Sequence, residues 1–167
     1  MSQNIFEIDV SGQDILDEGY TLVVAENKSS GLLLGFKMQN SVISQITYSW
    51  RAGTYRYANS KKGKTNLRVR LYCIIIYKIF CELRKVVVGR KILLEICRDF
   101  DGKEEQIKQN LLFFLGKLEL EPEFVFAKLS KESIADKYAY LLSKDTQNKF
   151  KDLLVEIKPK EFEELLI

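Results

Sequence analysis

The chain contains no histidine. That absence removes imidazole general bases, His-dependent triads and His-ligated zinc. Any acid–base chemistry must then come from carboxylates, Lys, Tyr, Cys or metal-activated water. Cysteine is scarce as well: Cys73, Cys81 and Cys97 stand in or beside apolar runs, without the close paired spacing of zinc sites, and are expected as buried, reduced thiols. Long apolar runs are also missing. "CIIIY" and "LLFFL" are interrupted by charge well before the roughly 20 residues that span a bilayer, so no transmembrane helix is expected. The start, "MSQNIFEIDVSGQD", has no basic flank followed by a long apolar region, so no secretory signal is expected and the predicted location is cytoplasmic. No Walker loop, dinucleotide fingerprint or deaminase motif occurs, which argues against a nucleotide cofactor and against zinc chemistry.

What is present suits one domain of ordinary size: 167 residues, 46% of them hydrophobic, can bury a proper core. The net charge of +3 sets up no strong whole-molecule field. Its distribution is more informative. Arg51, Arg56, Lys61, Lys62, Lys64, Arg68 and Arg70 follow one another with no Asp or Glu between them, whereas the closing "VEIKPKEFEELLI" is acidic.

Residues 1–18 carry turn and cap residues and are expected as a lead-in; 19–145 then form the main domain and 146–167 an amphipathic helical extension. "YTLVVAEN" and "GLLLGFKM" read as two antiparallel strands. "SVISQITYSWRAGTYRYA" alternates through Ile46, Tyr48 and Trp50 and predicts a third, with Gly53 at a bulge or turn. After the polar hinge "NSKKGKTN", the length of "LRVRLYCIIIYKIFCELRK" predicts a buried helix. "RKILLEICRDF" predicts a strand, "KEEQIKQNLLFFLGKL" an amphipathic helix and "EFVFAKL" a short strand. "KESIADKYAYLL" predicts a helix with Ser130 as N-cap. Two helical pieces separated at Pro159 close the chain. The order β-β-β-α-β-α-β-α implies a mixed five-stranded sheet with helices packed on it, an α/β fold.

This order, with three local matches, resembles the ribonuclease H-like fold. "VVAENKSSG" is similar to that family's first strand and following turn, "KTNLRVRL" to the "TN-x-R-x-E-L" opening of its first helix, and "KLSKESIADKYAYLL" to its last strand and helix, often "N-x-x-AD-x-LA". The resemblance covers Tyr20 to Ser143. It implies acids converging on two divalent ions, Mg²⁺ or Mn²⁺, which activate water against a phosphodiester. Taken position by position, it implies Glu26 as the first-strand acid, Asp99 as the fourth-strand acid with Asp101 and Glu95 as alternatives, and Asp136 as the last-helix acid. Glu26, Asp99 and Asp136 are thus the candidate catalytic set, and Glu26, Asp99, Asp101 and Asp136 the candidate metal ligands. Arg70 stands where the first-helix Glu is expected and would reverse the charge inside the site. The resemblance therefore implies a nucleic-acid-binding protein with a degenerate or altered two-metal site, or alternatively an active nuclease working with three carboxylates.

"YSWRAGTYRYANSKKGK" interleaves aromatic and basic residues, the composition that single-strand binding uses: rings stack on bases while Arg and Lys neutralise phosphates. Trp50, Arg51, Tyr55, Arg56, Lys61, Lys62, Lys64 and Arg70 are the expected contacts to single-stranded or RNA/DNA hybrid nucleic acid. A further possibility is a protein–protein module docking or self-associating through the C-terminal helices, where Phe150, Leu153, Leu154 and Ile157, then Phe162, Leu165 and Leu166, recur at helical spacing.

Overall fold

The computed structural model describes residues 3–29, 31–130 and 132–167. Met1 and Ser2 of the expected lead-in, Ser30 of the loop between the first two expected strands and Lys131 ahead of the last expected helix lie outside the described residues.

The stretch expected as a lead-in is a strand, β1 (Gln3–Ser11). Phe6, Ile8 and Val10 alternate with Glu7, Asp9 and Ser11, the period of two that puts successive side chains on opposite faces. β2 (Thr21–Glu26) pairs antiparallel with β1, Phe6 opposite Glu26 and Asp9 opposite Val23. β3 (Leu33–Lys37) pairs antiparallel with β2. β4 (Lys91–Cys97) runs parallel to β1, Ile8 opposite Ile96, and β5 (Glu123–Ala127) runs parallel to β4. The sheet is mixed, with five strands in the order β3-β2-β1-β4-β5, so the strand taken for a lead-in is central.

The expected third strand is a helix, α1 (Asn40–Arg51). Val42, Ile46, Ser49 and Trp50 are buried, a helical stripe, while Tyr48 on the other side is 72% exposed. Gly53, at φ 76°, ends this helix rather than marking a bulge in a strand. The polar hinge is itself helical: α2 (Lys61–Val87) begins inside it, with Ser60 as N-cap accepting a hydrogen bond from the Gly63 amide. A side chain on Gly63 would place its Cβ 1.8 Å from the Ala58 carbonyl oxygen, which already accepts the Trp50 indole N–H. Only glycine lets the 52–60 loop lie on the helix.

α2 is long and buried because it packs under the sheet, Phe80 edge-on to Phe6 at 5.4 Å. Full burial of side chains such as these contributes about 1.5–3 kcal/mol each. α3 (Glu104–Gly116) packs on α2. α4 (Ile134–Ser143) covers the opposite face, its Ala135, Ala139 and Leu142 against Val23 and Ala25. Its N-cap is Ser133, whose hydroxyl accepts from the Asp136 amide, and not Ser130 as predicted. Of the expected C-terminal helical pieces, the first is only a three-residue turn, Lys151–Leu153, after which Leu154 bridges to Gly35 on the β3 edge. The second is α5 (Pro159–Leu166), whose Phe162 and Leu166 are buried with Phe36 in the main core. No helix among the described residues is long and apolar enough to cross a membrane.

Candidate carboxylate centre

Glu26 does not stand where the sequence suggests. Glu26 ends β2, not the first strand, and shares the face of Phe6. Its carboxylate accepts hydrogen bonds from the Asn4 amide at 2.6 Å and from the Leu32 backbone N–H at 3.1 Å, and pairs with Lys28 at 3.4 Å. Burial alone would raise its pKa, but these partners outweigh burial and hold it below the ordinary range. Asp9 sits three residues further along β1 than Phe6, about 10 Å at the rise of a strand, and on the opposite face. Glu26 is therefore separate from Asp99 and Asp136, and the first-strand acid that meets them is Asp9.

The meeting place follows from register. Ile8 lies beside Ile96, so Asp9 lies beside Cys97, and Asp99 follows two residues beyond, where β4 leaves the sheet. Asp136, in the first turn of α4, comes within hydrogen-bonding reach of Asp9 from above the same face. The site thus forms at the carboxyl ends of two parallel strands, where open α/β sheets present ligand crevices.

The electrostatics are those of acids crowded together. Burial raises the Asp9 pKa, and Asp136 adds to the rise through a hydrogen bond and its charge; the Val10 amide, donating at 2.8 Å, and the Cys97 thiol offset part of it. Burial and the Asp9 charge push Asp99 up to about 7, although water reaching the exposed side of that residue screens part of the effect. Burial, with Asp9 and Asp99 adding, pushes the Cys97 thiol up to about 11. Tyr20, buried beside the cluster, is held neutral by desolvation and by the charges of Asp99, Asp14 and Asp9.

A cavity of about 250 Å³ opens between the turn after β1 and the end of β4, lined among others by Gly12, Asp14, Tyr20, Arg68, Asp99 and Phe100. Arg68 is the α2 residue that reaches it, held by an ion pair with Asp14. Of Asp9, Asp99 and Asp136 only Asp99 lines this cavity, and none lines a larger groove of about 1060 Å³ between β3, α1 and the C-terminal segment.

Arg70 points elsewhere. Its guanidinium donates to Asn110 Oδ1 and the Leu165 carbonyl and lies 4.3 Å from the centre of the Phe114 ring, at the junction of α2, α3 and α5. It does not reverse the charge at the acid cluster. Asp101 is in the exposed turn after β4, and Glu95 lies on β4 beside Glu7, both outside the Asp9–Asp99–Asp136 grouping.

Of the expected nucleic-acid contacts, Trp50 and Tyr55 are buried, 8% and 4% exposed, and have no open face to offer a base. Arg51, Arg56, Lys61 and Lys62 are exposed and Lys64 is half-buried. Lys64 and Lys61 precede Arg68 by one and two turns of α2, about 6 and 10 Å along its axis, so the basic start of the helix leads toward the cavity.

The chemistry of the donor set fits a divalent cation. Asp9, Asp99 and Asp136 are hard oxygen donors of the kind Mg²⁺ and Mn²⁺ take. Burial first and neighbouring acids second raise Asp9 and Asp99, and a bound cation would favour their charged forms. Among the described residues no three such side chains stand together as ligands of one ion. No protein-family model matches this chain, and no curated protein matches it either.

Proposed function

We propose that this is a nucleic-acid-binding protein of the ribonuclease H-like class and a metal-dependent phosphodiester hydrolase that works through Asp9, Asp99 and Asp136. The observation that supports the reading is Asp9 near the carboxyl end of β1, with Asp136 of α4 within hydrogen-bonding reach of it and Asp99, past the end of the adjacent parallel strand, raised by burial and by the Asp9 charge. The strand order β3-β2-β1-β4-β5, with β1 antiparallel to β2 and parallel to β4, supports the fold assignment. The displacement of Arg70 from the cluster removes the feature that argued for a degenerate site.

Asp9, Asp99 and Asp136 would hold Mg²⁺ or Mn²⁺, which supplies Lewis acidity and charge neutralisation to a phosphodiester. The protein's own groups do the rest. Arg68, fixed by Asp14, offers positive charge at the cavity wall for a phosphate oxygen. The exposed Arg51, Arg56, Lys61 and Lys62 neutralise phosphates further along a strand, so affinity falls with salt.

The test is cleavage of labelled single-stranded, duplex and RNA/DNA hybrid substrates with Mg²⁺ or Mn²⁺, comparing the parent with Asp9→Asn and Asp136→Asn. Metal-dependent cleavage lost in both variants is the expected result. Salt-sensitive binding without cleavage by the parent would reduce the protein to a binder that keeps the surface and lacks the chemistry. Binding indifferent to salt would overturn both. The C-terminal docking module has less support, because Phe162 and Leu166 of α5 are committed to the protein's own core.

A further inference from the structure

One buried acid has no part in the proposed chemistry. Glu7 precedes Asp9 by two residues on β1, faces α4 as Asp9 does, and is 6% exposed. An acid in the interior of a central strand is costly to bury unless it is partnered, and its partners are specific. Glu7 Oε1 accepts from the Ser133 hydroxyl at 3.0 Å and from the Ala135 backbone N–H at 3.4 Å. Ser133 Oγ in turn accepts from the Asp136 backbone N–H at 3.2 Å, the bond that caps α4. An unbroken chain of hydrogen bonds thus runs from β1 through Glu7 and Ser133 to the residue that brings the third acid.

Ser133 alone could cap the helix. Glu7 adds direction: by accepting the hydroxyl proton it turns the Ser133 lone pairs toward the Asp136 amide, and by also accepting from Ala135 it fixes the start of the helix relative to the strand. The positive end of the α4 dipole favours an anion there. Asp9 and Asp136 are thereby mounted on two ends of one latch, which fixes their separation. We propose that Glu7 and Ser133 form this latch and that Glu7 is a positioning residue, holding Asp136 opposite Asp9; as a statement about chemistry it rests on the hydrolase reading above.

The test uses the full chain carrying Glu7→Ala, Glu7→Gln, Ser133→Ala or Ser133→Thr, with two readouts. In single-turnover cleavage with Mn²⁺, Glu7→Ala and Ser133→Ala are expected to lower kcat by about 10- to 100-fold, the scale of a small misplacement, with KM nearly unchanged. Ser133→Thr keeps the hydroxyl, Glu7→Gln keeps an acceptor oxygen, and both are expected to recover most of the loss. In amide hydrogen exchange, Ala135 and Asp136 are expected to exchange at least about tenfold faster in the two alanine variants, as capping bonds are lost. If Glu7→Ala does not fold, Ser133→Ala against Ser133→Thr carries the comparison. A kcat equal to that of the parent per folded molecule, or a change confined to KM, would overturn the positioning role. If the parent itself does not cleave, the hydrolase reading fails, and exchange still decides the latch: faster exchange in Ser133→Ala upholds it and unchanged exchange removes it.

Discussion

Glu26 and Asp9 lie on neighbouring strands of one sheet, 4% and 5% exposed, yet their pKa values move in opposite directions. Glu26 is met by an amide, a backbone N–H and a lysine, so its charge is satisfied within the protein. Asp9 is met by the Val10 amide, the Cys97 thiol and Asp136, and the two groups that favour its ionised form do not outweigh burial and Asp136. At similar exposure, deeper desolvation and different partners raise one acid and leave the other lowered. Exposure alone would not have distinguished them.

The largest expected effect tests that separation directly. Asp9→Asn or Asp136→Asn is expected to lower metal-dependent cleavage by at least about 10²–10³-fold, the scale on which single preorganised electrostatic groups act. Glu26→Gln, in the same assay, should stay within a few-fold of the parent. Equal losses at Glu26 and Asp9 would erase the distinction between the two ends of the strand pair.

Stability should show the reverse order. Glu26→Ala strands the Asn4 amide and the Leu32 N–H, and urea unfolding should register a loss of about 1–3 kcal/mol. Asp99→Asn removes a carboxyl whose charge the fold disfavours, so near pH 7 without divalent cations it should match or exceed the parent in stability.

The pH dependence sharpens the contrast further. A carboxyl whose folded pKa is raised binds its proton more tightly in the native state, so its contribution to stability is lost as pH rises from its ordinary value, about 4, through its folded value. For Asp99 the window is about 4 to 7. Glu26, lowered in the fold, contributes above its ordinary value and loses that contribution as pH falls through its folded value. Measured from pH 3 to 8, the stability of Asp99→Asn relative to the parent should climb between about pH 4 and 7. That of Glu26→Gln should drop relative to the parent as pH rises through the acid range. A flat difference for Asp99→Asn would mean its carboxyl is perturbed neither by burial nor by Asp9.

How much of this could be read from the sequence depended on where the acids sat. The periodicities of β4, α3, β5 and α4 predict those elements, and a five-stranded mixed sheet follows from them together with β2 and β3. β1 escapes because its inward-facing positions on one side are Glu7 and Asp9. Acids followed by "SGQD" carry the signature of an exposed turn, and only the alternation of Phe6, Ile8 and Val10 betrays a strand. With β1 missing, the role of first-strand acid passes to Glu26, one strand too late. α1 errs in the other direction. Ile46, Tyr48 and Trp50 alternate as a strand would, whereas the buried set Val42, Ile46, Ser49 and Trp50 follows the helix, and a polar Ser49 hides that stripe. Asp99 and Asp136 could be picked out because the resemblance to ribonuclease H-like sequences points to acids at the end of the fourth strand and in the last helix. Their partner could not, since partnering across strands is a property of register.

The smallest expected effect carries the comparison out to the surface. Lys28 stands at the Glu26 end and is spent on that carboxylate, whereas Lys61 and Lys62 are exposed at the start of α2, on the helix whose Arg68 lines the Asp99 cavity. If nucleic acid approaches the Asp9 end, each of the α2 lysines that touches a phosphate contributes about 0.7 to the slope of log affinity against log salt for a single strand. Lys62→Ala should reduce that slope by about this amount and weaken binding a few-fold at moderate salt. Lys28→Ala should leave the slope unchanged while slightly loosening Glu26. Trp50 and Tyr55, buried in the core, contribute no stacking, so their replacement should act through stability and not through the binding of the molecules that remain folded. A salt slope that responds to Lys28 and ignores Lys62 would put the nucleic acid at the wrong end of the sheet for the three acids to act on it.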